Sequence, residues 1–530
     1  MMSYMREVLL RKLQAVFSRA FPGVLFSNEN FEINYPPEEF GDYSTNLALK
    51  AAKELKKNPR EIAELIKNEL EKDGIQEKLF SKIEVVGAGF LNFSLSSEAR
   101  GKEIEKINVA NGDYGSTQAG KDKRIHLDFV SANPTGPIHL GNGRGGPLGD
   151  VLANVLVKNG FSVWREYYVN DFGNQIKVLG HSILKDGEAQ YRGEYIDNLA
   201  EKNQEADPFA VGQKATKIIL NEMIRPAMES LGIMFDEYFC ESSLHASGEV
   251  EKAFEALKAK DLLYEKEGAL WFCAEKFGDE KDRVVRKTTG EITYFGGDIA
   301  YHLNKLQTRN FDLALDIWGA DHHGDVVRVK GAMEALGYRE KVKILITQNL
   351  TVLKNGEEFK MSKRKGQYIC LEDLIDEVGR DAVRFIFLAY SANSPMIFDI
   401  NLAKEKSNKN PVFYVQYAYA RMAGILRKTK KEAVGVADFS LLTNEKEIEL
   451  IRHLMRFPDL ISEIAENYEV HRLTHYAIKL ADKFHSFYHA SRILDEEKSL
   501  ASARRELVSA TKVVLGESLR LIGISAPEKM

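Results

Sequence analysis

The chain has 530 residues, 44% of them hydrophobic and 28% charged, which excludes a single hydrophobic core, a disordered chain and a fibrous one. No window approaches the roughly 18 apolar residues of a membrane span, and the N-terminus lacks a signal peptide's apolar centre, so a cytoplasmic location is expected. Three scattered cysteines indicate neither a disulfide framework nor a zinc knuckle, and the net charge of −5 alone argues against a nucleic-acid partner.

The first hundred residues read as a small α+β unit. In "NPREIAELIKNEL", Asn58 is placed to cap a helix, Pro59 suits its first position, and Ile62, Leu65, Ile66 and Leu70 form an apolar stripe. "SKIEVVGAGFLNFSLS" reads as two strands around Gly87 and Gly89, and "NVANGDYGSTQAGKDK" reads as a polar linker, placing a boundary near residue 110.

An alternation typical of α/β folds follows, with strand "RIHLDFV", a loop, helix "PLGDVLANVLVKNG" and strand "FSVWREYYV". It predicts a parallel sheet carrying a nucleotide site. Asn355-Gly356 signals a hairpin in "TVLKNGEEFKMS". After about Asn408 the pattern is helical. Leu473, Tyr476, Ala477, Leu480, Phe484, Phe487 and Tyr488 mark one amphipathic helix. This last part carries +4 against −9 for the rest, which suits either a local phosphate-binding patch or a solvated face. The fold class is therefore α/β and multidomain: a small α+β domain over 1–110, a Rossmann-like parallel-sheet domain with insertions over 111–400, and an all-α bundle over 401–530.

"PIHLGNGRGGPLGD" contains Gly141, Gly143 and Gly146 in the spacing G-x-G-x-x-G. A dinucleotide fingerprint needs its first glycine to end the strand directly, whereas "ANPTGP" intervenes here, and Pro147 is tolerable only near a first helical turn. That predicts a helix start around Gly143 to Gly146. Glu166 lies at about the distance of a ribose contact, which keeps a dehydrogenase open as the alternative. The other account uses "HLGN": His139, a backbone glycine and Asn142 at a helix N-terminus point neutral donors and the positive dipole end at phosphates.

"HLGN" resembles the "HIGH" signature of class I aminoacyl-tRNA synthetases, and "KMSKRKG", Lys360 to Gly366, matches their KMSK loop in wording and order. With "YVNDFGNQI", "TYFGGDIAYHL", "ADHHGD", "NPVFYVQYAYAR" and "LRLIGISAPEKM", nearly the whole chain resembles the arginyl-tRNA synthetase family. Asn142 replaces the signature's second histidine; it keeps a side-chain donor but not a titratable one.

The resemblance implies ATP-dependent ligation of L-arginine to tRNA(Arg) through an arginyl-adenylate, then transfer to the 2′-hydroxyl of the terminal adenosine. It implies ATP with Mg²⁺ as the substrate complex, no structural zinc, and a monomer. His139, Asn142, Lys360 and Lys363 would be catalytic, with Pro137, Gly141, Met361 and Ser362 completing the ATP site. For arginine it implies Asp128, Asn133, His139, Tyr294, Asp298 and His322; a carboxylate fork is what a planar guanidinium demands, and Tyr294 and Asp298 are four apart. A helix-capping Asp298 is the competing account. For tRNA it implies Phe90 and Asn92 at the D-loop, and a bundle with Tyr414, Tyr417 and the basic run "LRKTKK" at the anticodon. Two other readings stay open: an adenylate-forming relative without tRNA charging, and a non-catalytic tRNA-binding paralogue. The pairs His471/His475 and His485/His489 have zinc spacing but no third ligand nearby, so no metal site is expected.

Overall fold

Five parallel strands in the order β11-β10-β4-β5-β6 form the central sheet: β4 (Arg124–Phe129), β5 (Ser162–Val169), β6 (Glu237–Cys240), β10 (Leu313–Gly319) and β11 (Val342–Thr347). The computed structural model describes residues 4–24, 26–72, 79–358, 370–429, 435–493 and 496–530. The chain builds the sheet outward from β4 through β5 to β6, then returns to lay β10 and β11 on the other side of β4. The loops leaving the carboxyl ends of β4 and β10 therefore diverge, and such a switch point opens a ligand crevice.

The helix Gly145–Lys158 covers β4 and β5. Its approach depends on Gly149, where a Cβ would lie 2.3 Å from the Phe129 ring. Between β6 and β10 sits an antiparallel sheet of β7 (Leu263–Lys266), β8 (Ala269–Phe272) and β9 (Arg283–Arg286). After β11, β12 (Leu350–Lys354) pairs antiparallel with β13 (Glu357–Glu358) and parallel with β14 (Met396–Asp399). The predicted hairpin is present, with Asn355 (φ 57°) and Gly356 (φ 80°) both left-handed.

The N-terminal region packs four helices, Met5–Ala20, Leu47–Leu55, Pro59–Lys72 and Ser97–Ala110, with an antiparallel sheet of β1 (Tyr43–Thr45), β2 (Phe80–Val86) and β3 (Phe90–Leu95). Asn58 Oδ1 accepts from the Arg60 N–H (2.9 Å), as predicted. Leu65 does not join the buried stripe; it is 42% exposed, and Ala63 joins Ile62, Ile66 and Leu70 instead. The segment read as a linker is a packed joint. Tyr114 is buried, donates to Glu103 Oε1 (2.9 Å) and lies parallel to Phe457 of the C-terminal region, while Lys158 Nζ donates to Gly112 O (2.9 Å) and Glu517 Oε1 (2.6 Å).

The C-terminal helices are Pro411–Thr429, Glu445–Met455, Phe457–Asn467, His471–Ala490 and Lys498–Ile522. The predicted apolar face of His471–Ala490 is buried except Tyr488, which stays exposed beneath the Arg421 guanidinium. Buried Arg384, on the helix Arg380–Leu388, joins the end of the last helix to the helix Gly145–Lys158 and to the turn at Leu231. It donates to Ile522 O (2.8 Å), Leu231 O (2.8 Å) and Asp150 Oδ2 (2.5 Å).

Candidate active site

The turn after β4 is conformationally unusual, because Val130 (φ 69°) and Ser131 (φ 37°) are left-handed, a costly state for a β-branched residue. It is held from β5: Ser131 Oγ donates to Asp128 Oδ1 (2.5 Å) and accepts from the Tyr168 N–H (2.9 Å), and the Tyr167 hydroxyl donates to Ala132 O (2.7 Å). Asn133 follows, exposed at the carboxyl edge of the sheet.

His139 then caps a short helical turn, Leu140–Gly143, ahead of the helix Gly145–Lys158, which starts within the predicted window. Pro147 lacks the N–H that would reach the Gly143 carbonyl, and it lies in the first turn of that helix, as expected. His139 Nδ1 accepts from the Gly141 N–H (3.1 Å), which places the proton of a neutral ring on Nε2. Gly141 lets the ring sit close: a Cβ there would lie 3.0 Å from His139 Cε1, so the ring would have to shift. Asn142 is half-buried in the same turn. Lys360, Met361, Ser362 and Lys363 lie outside the described residues, but the chain leaving that segment is stitched to this turn. Cys370 forms a β-bridge with His139, and the Leu371 N–H donates to Ile138 O (3.0 Å).

Arg144 was not singled out from the sequence. It is buried, and its guanidinium donates to the carbonyls of Gln348 (2.5 Å), Ser391 (3.0 Å) and Ser394 (2.9 Å), with no carboxylate partner among the described residues. Burial lowers its pKa to about 10. It ties the glycine turn to the segments flanking β12.

On the other side of the switch point lies the helix Tyr294–Leu303, capped by Thr293, whose Oγ accepts from the Gly296 N–H (3.2 Å). Asp298 is therefore not the cap. It sits in the second turn, 8% exposed, and among the described residues its carboxylate has no hydrogen-bond or ion-pair partner. Burial, then the carboxylates of Glu241 and Asp325, push its pKa well above the usual aspartate value. Glu241 opens the helix after β6. Gly297 gives it room, since a Cβ there would lie 3.2 Å from Glu241 Oε1. The Asn170 amide, oriented to satisfy its neighbours, donates to Glu241 Oε2 (3.0 Å). Tyr294 is half-exposed at the mouth, near the His322 ring at 6.3 Å, and His322 Nδ1 lies 3.4 Å from Asp325 Oδ2. Glu241, like Arg144, escaped sequence reading because no local spacing connects it to Asp298.

Asp128 is buried at the end of β4. Its Oδ2 accepts from the Tyr301 hydroxyl (3.2 Å) and Lys305 Nζ (3.4 Å). Glu166 is fully buried, bound to His126 (2.8 Å), the Tyr301 hydroxyl (2.6 Å) and Arg309 (3.0 Å), so it is unavailable to a ribose. Burial works to raise its pKa, and His126 and Arg309 outweigh burial and hold it below the ordinary glutamate range.

Phe90 presents its ring to solvent at 43% exposure, whereas Asn92 on the same strand face is buried, its Oδ1 accepting from Ser44 Oγ (2.7 Å). In the bundle the Tyr414 hydroxyl donates to Asp482 Oδ1 (2.7 Å), Tyr417 lies parallel to Phe413, and Arg421 covers Tyr417 and Tyr488. His475 Nε2 bonds Ala389 O (3.0 Å), and His485 Nδ1 lies 3.3 Å from Arg421.

Family models match along the chain: an arginyl-tRNA synthetase N-terminal domain over residues 5–95, the class I (R) tRNA synthetase catalytic domain over 103–209 and 189–389, and a DALR anticodon binding domain over 415–530. An arginine–tRNA ligase from Carboxydothermus hydrogenoformans is 43% identical, covering 94% of each chain, and one from Bacillus subtilis is 40% identical, covering 99% of each. The chain belongs to the arginyl-tRNA synthetase family. The synthetase shares its fold with the Thermus thermophilus arginyl-tRNA synthetase, with a TM-score of 0.79 at 22% identity over 99% of this chain and 100% of that one. Among the described residues of the synthetase, no helix is long and apolar enough to cross a membrane.

Proposed function

We propose that the chain performs the family reaction, ATP-dependent ligation of L-arginine to tRNA(Arg), with its reacting groups at the β4/β10 switch point. The observation that carries this reading is the Asp298 carboxylate: buried, unpartnered among the described residues, and faced by Glu241 across Gly297. Such a pair is unfavourable until a cation arrives, and a guanidinium answers it with a fork of donors that an ammonium cannot reproduce. Tyr294 and His322 close the mouth, Asn133 stands where the α-amino and α-carboxylate groups would lie, and Asp128 supports from below.

The arginine carboxylate is already a nucleophile, so attack on the α-phosphorus of MgATP needs no general base; alignment and charge neutralisation suffice. His139 Nε2–H, Asn142 and the N–H groups of the turn meet the phosphates from one side, with Pro137 and Gly141 shaping the wall, while Lys360 and Lys363, flanked by Met361 and Ser362, serve the other. Residues 1–110 would grip the tRNA D-loop through Phe90, with Asn92 supporting its strand. Residues 111–400 would hold the chemistry, and 401–530 the anticodon through Tyr414 and Tyr417. The enzyme would act in the cytoplasm as a monomer, without structural zinc.

Pyrophosphate–ATP exchange with each amino acid in turn tests this. Exchange is expected with arginine alone, and only with tRNA present. Exchange driven by another amino acid would overturn the specificity, and none with any amino acid plus tRNA would overturn catalysis.

A further inference from the structure

Beneath the arginine pocket the protein buries a cation of its own. Lys305 is fully buried at a widened helical turn, Asn304–Thr308, that directly continues the Asp298 helix. Its Nζ bonds Asp316 Oδ1 (2.8 Å) on β10 and Asp128 Oδ2 (3.4 Å) on β4, and it lies 3.9 Å from the centre of the Tyr301 ring. Asp316 is shared with His302, whose Nε2 lies 2.7 Å from Asp316 Oδ2 and whose Nδ1 lies 2.8 Å from the Asp298 carbonyl. The acids thus divide into two sets. Asp128 and Asp316 have a buried lysine; among the described residues Asp298 has no ion-pair partner, and Glu241 has only the His245 ring, its Nε2 3.9 Å from Glu241 Oε1.

We infer that Lys305 is a positioning residue for amino-acid selection, an internal cation that neutralises Asp128 and Asp316 so that the pocket's uncompensated charge stands at Asp298 and Glu241. The inference rests on the proposed arginine site and adds a residue that never touches the substrate. Without that ammonium, Asp298 would face Glu241 from the helix after β6, Asp316 from β10 and Asp325 from the helix His323–Leu336. His302, Tyr294, Tyr168, Tyr301 and His322 are the other titratable neighbours, and Arg309 is engaged by Glu166. Under such crowding a carboxylate keeps its proton, and a protonated Asp298 is a poor partner for a guanidinium.

The test measures equilibrium binding of L-arginine, its neutral isostere L-citrulline and MgATP by calorimetry across pH 5.5–9. The proteins are wild type, Lys305→Met, Lys305→Arg and Lys305→Met/Asp316→Asn. In Lys305→Met the pH at which arginine affinity is half lost should rise by about one unit, with affinity at neutral pH about tenfold lower, discrimination against citrulline reduced and MgATP binding unchanged. Lys305→Arg keeps the charge and should restore the wild-type midpoint. The double variant removes one charge of each sign, so it should restore it as well, a rescue that a purely structural role does not predict. If Lys305→Met fails to fold, the double variant decides. An unmoved midpoint in Lys305→Met, a displaced midpoint in a folded double variant, or equal losses for arginine and MgATP would overturn the inference. Wild type that binds no arginine would overturn the functional reading instead.

Discussion

Asp298→Asn should weaken arginine binding and stabilise the free enzyme at once. The substitution preserves shape and removes charge. Hydrogen bonds to charged groups contribute about 1.5–3 kcal/mol net, so losing the Asp298 share of a guanidinium held with Glu241 should raise the arginine KM by about 10- to 150-fold. MgATP is served from the His139 side, so its KM should change little. The stability effect has the opposite sign. Asp298 is an acid whose pKa is raised by burial and by its acidic neighbours Glu241 and Asp325, so the native state retains a proton that the unfolded chain releases above about pH 4. Native stability therefore falls as pH rises, and the variant escapes that loss. Its thermal midpoint should exceed that of wild type, with a wider gap at pH 8.5 than at pH 5.5, measured by calorimetry without substrates. An arginine KM within threefold of wild type, or a lower midpoint at pH 8.5, would refute the reasoning.

Glu166 shows the converse linkage. Its depressed pKa gives stability that is present above about pH 4.3 and lost as pH falls further, so Glu166→Gln should be about 3–5 kcal/mol less stable at pH 7 in urea, with a flatter decline below pH 5. A variant as stable as wild type at pH 7 would deny the network its structural part. His139→Ala should lower kcat for arginine-dependent exchange by about 10²–10³ with arginine affinity intact, because the ring acts on charge that develops at phosphate; an effect confined to arginine KM would move His139 out of the ATP site. Phe90→Ala removes an exposed ring, so the thermal midpoint should hold while tRNA affinity falls by about 5- to 150-fold in filter binding. Unchanged tRNA affinity would remove Phe90 from the interface.

What could be read before the structure were features in which a few adjacent residues determine both conformation and chemistry. Asn58-Pro59 starts a helix, Asn355-Gly356 turns a hairpin, and His139 with Gly141 makes a capped turn. The misreadings arose where local pattern and tertiary packing part company. Leu65 lies about 115° from the centre of its helix's buried arc at 100° per residue, so a three-residue step from Ile62 was not enough to bury it. Residues 111–115 have a linker's composition, yet the region closes around the one aromatic among them, Tyr114. The helix Gly145–Lys158 starts inside the window that Pro147 set, but the separate turn Leu140–Gly143 ahead of it had no local signal of its own. Glu241, Arg144 and Lys305 had no signal at all, since each takes its meaning from partners that only the fold brings close; Lys305 and Asp128 are 177 positions apart.

The residues that sequence could not supply share one physical property. Among the described residues Arg144 is a buried cation bonded to neutral carbonyls alone, and Asp298 is a buried carboxyl with no hydrogen-bond or ion-pair partner, whose ionisation burial and its acidic neighbours oppose. Each is costly alone, because a charge removed from water needs an opposite charge or an ion's worth of donors to compensate it. They stand on opposite sides of one switch point, the cation beneath the turn proposed to meet a polyanionic triphosphate, the anion in the pocket proposed to meet a guanidinium. The network under the pocket sharpens that polarity, since Lys305 and His302 satisfy Asp316 and leave Asp298 exposed to its substrate. If Asp298 and the glycine turn hold the two substrates as proposed, the free enzyme would carry an uncompensated charge of opposite sign in each half of the crevice, and the two substrates would cancel it. A site of that kind would order its ligands before any bond is made: the carboxylate of arginine, directed away from Asp298 and Glu241 by its own charge, would face the phosphorus on the Arg144 side.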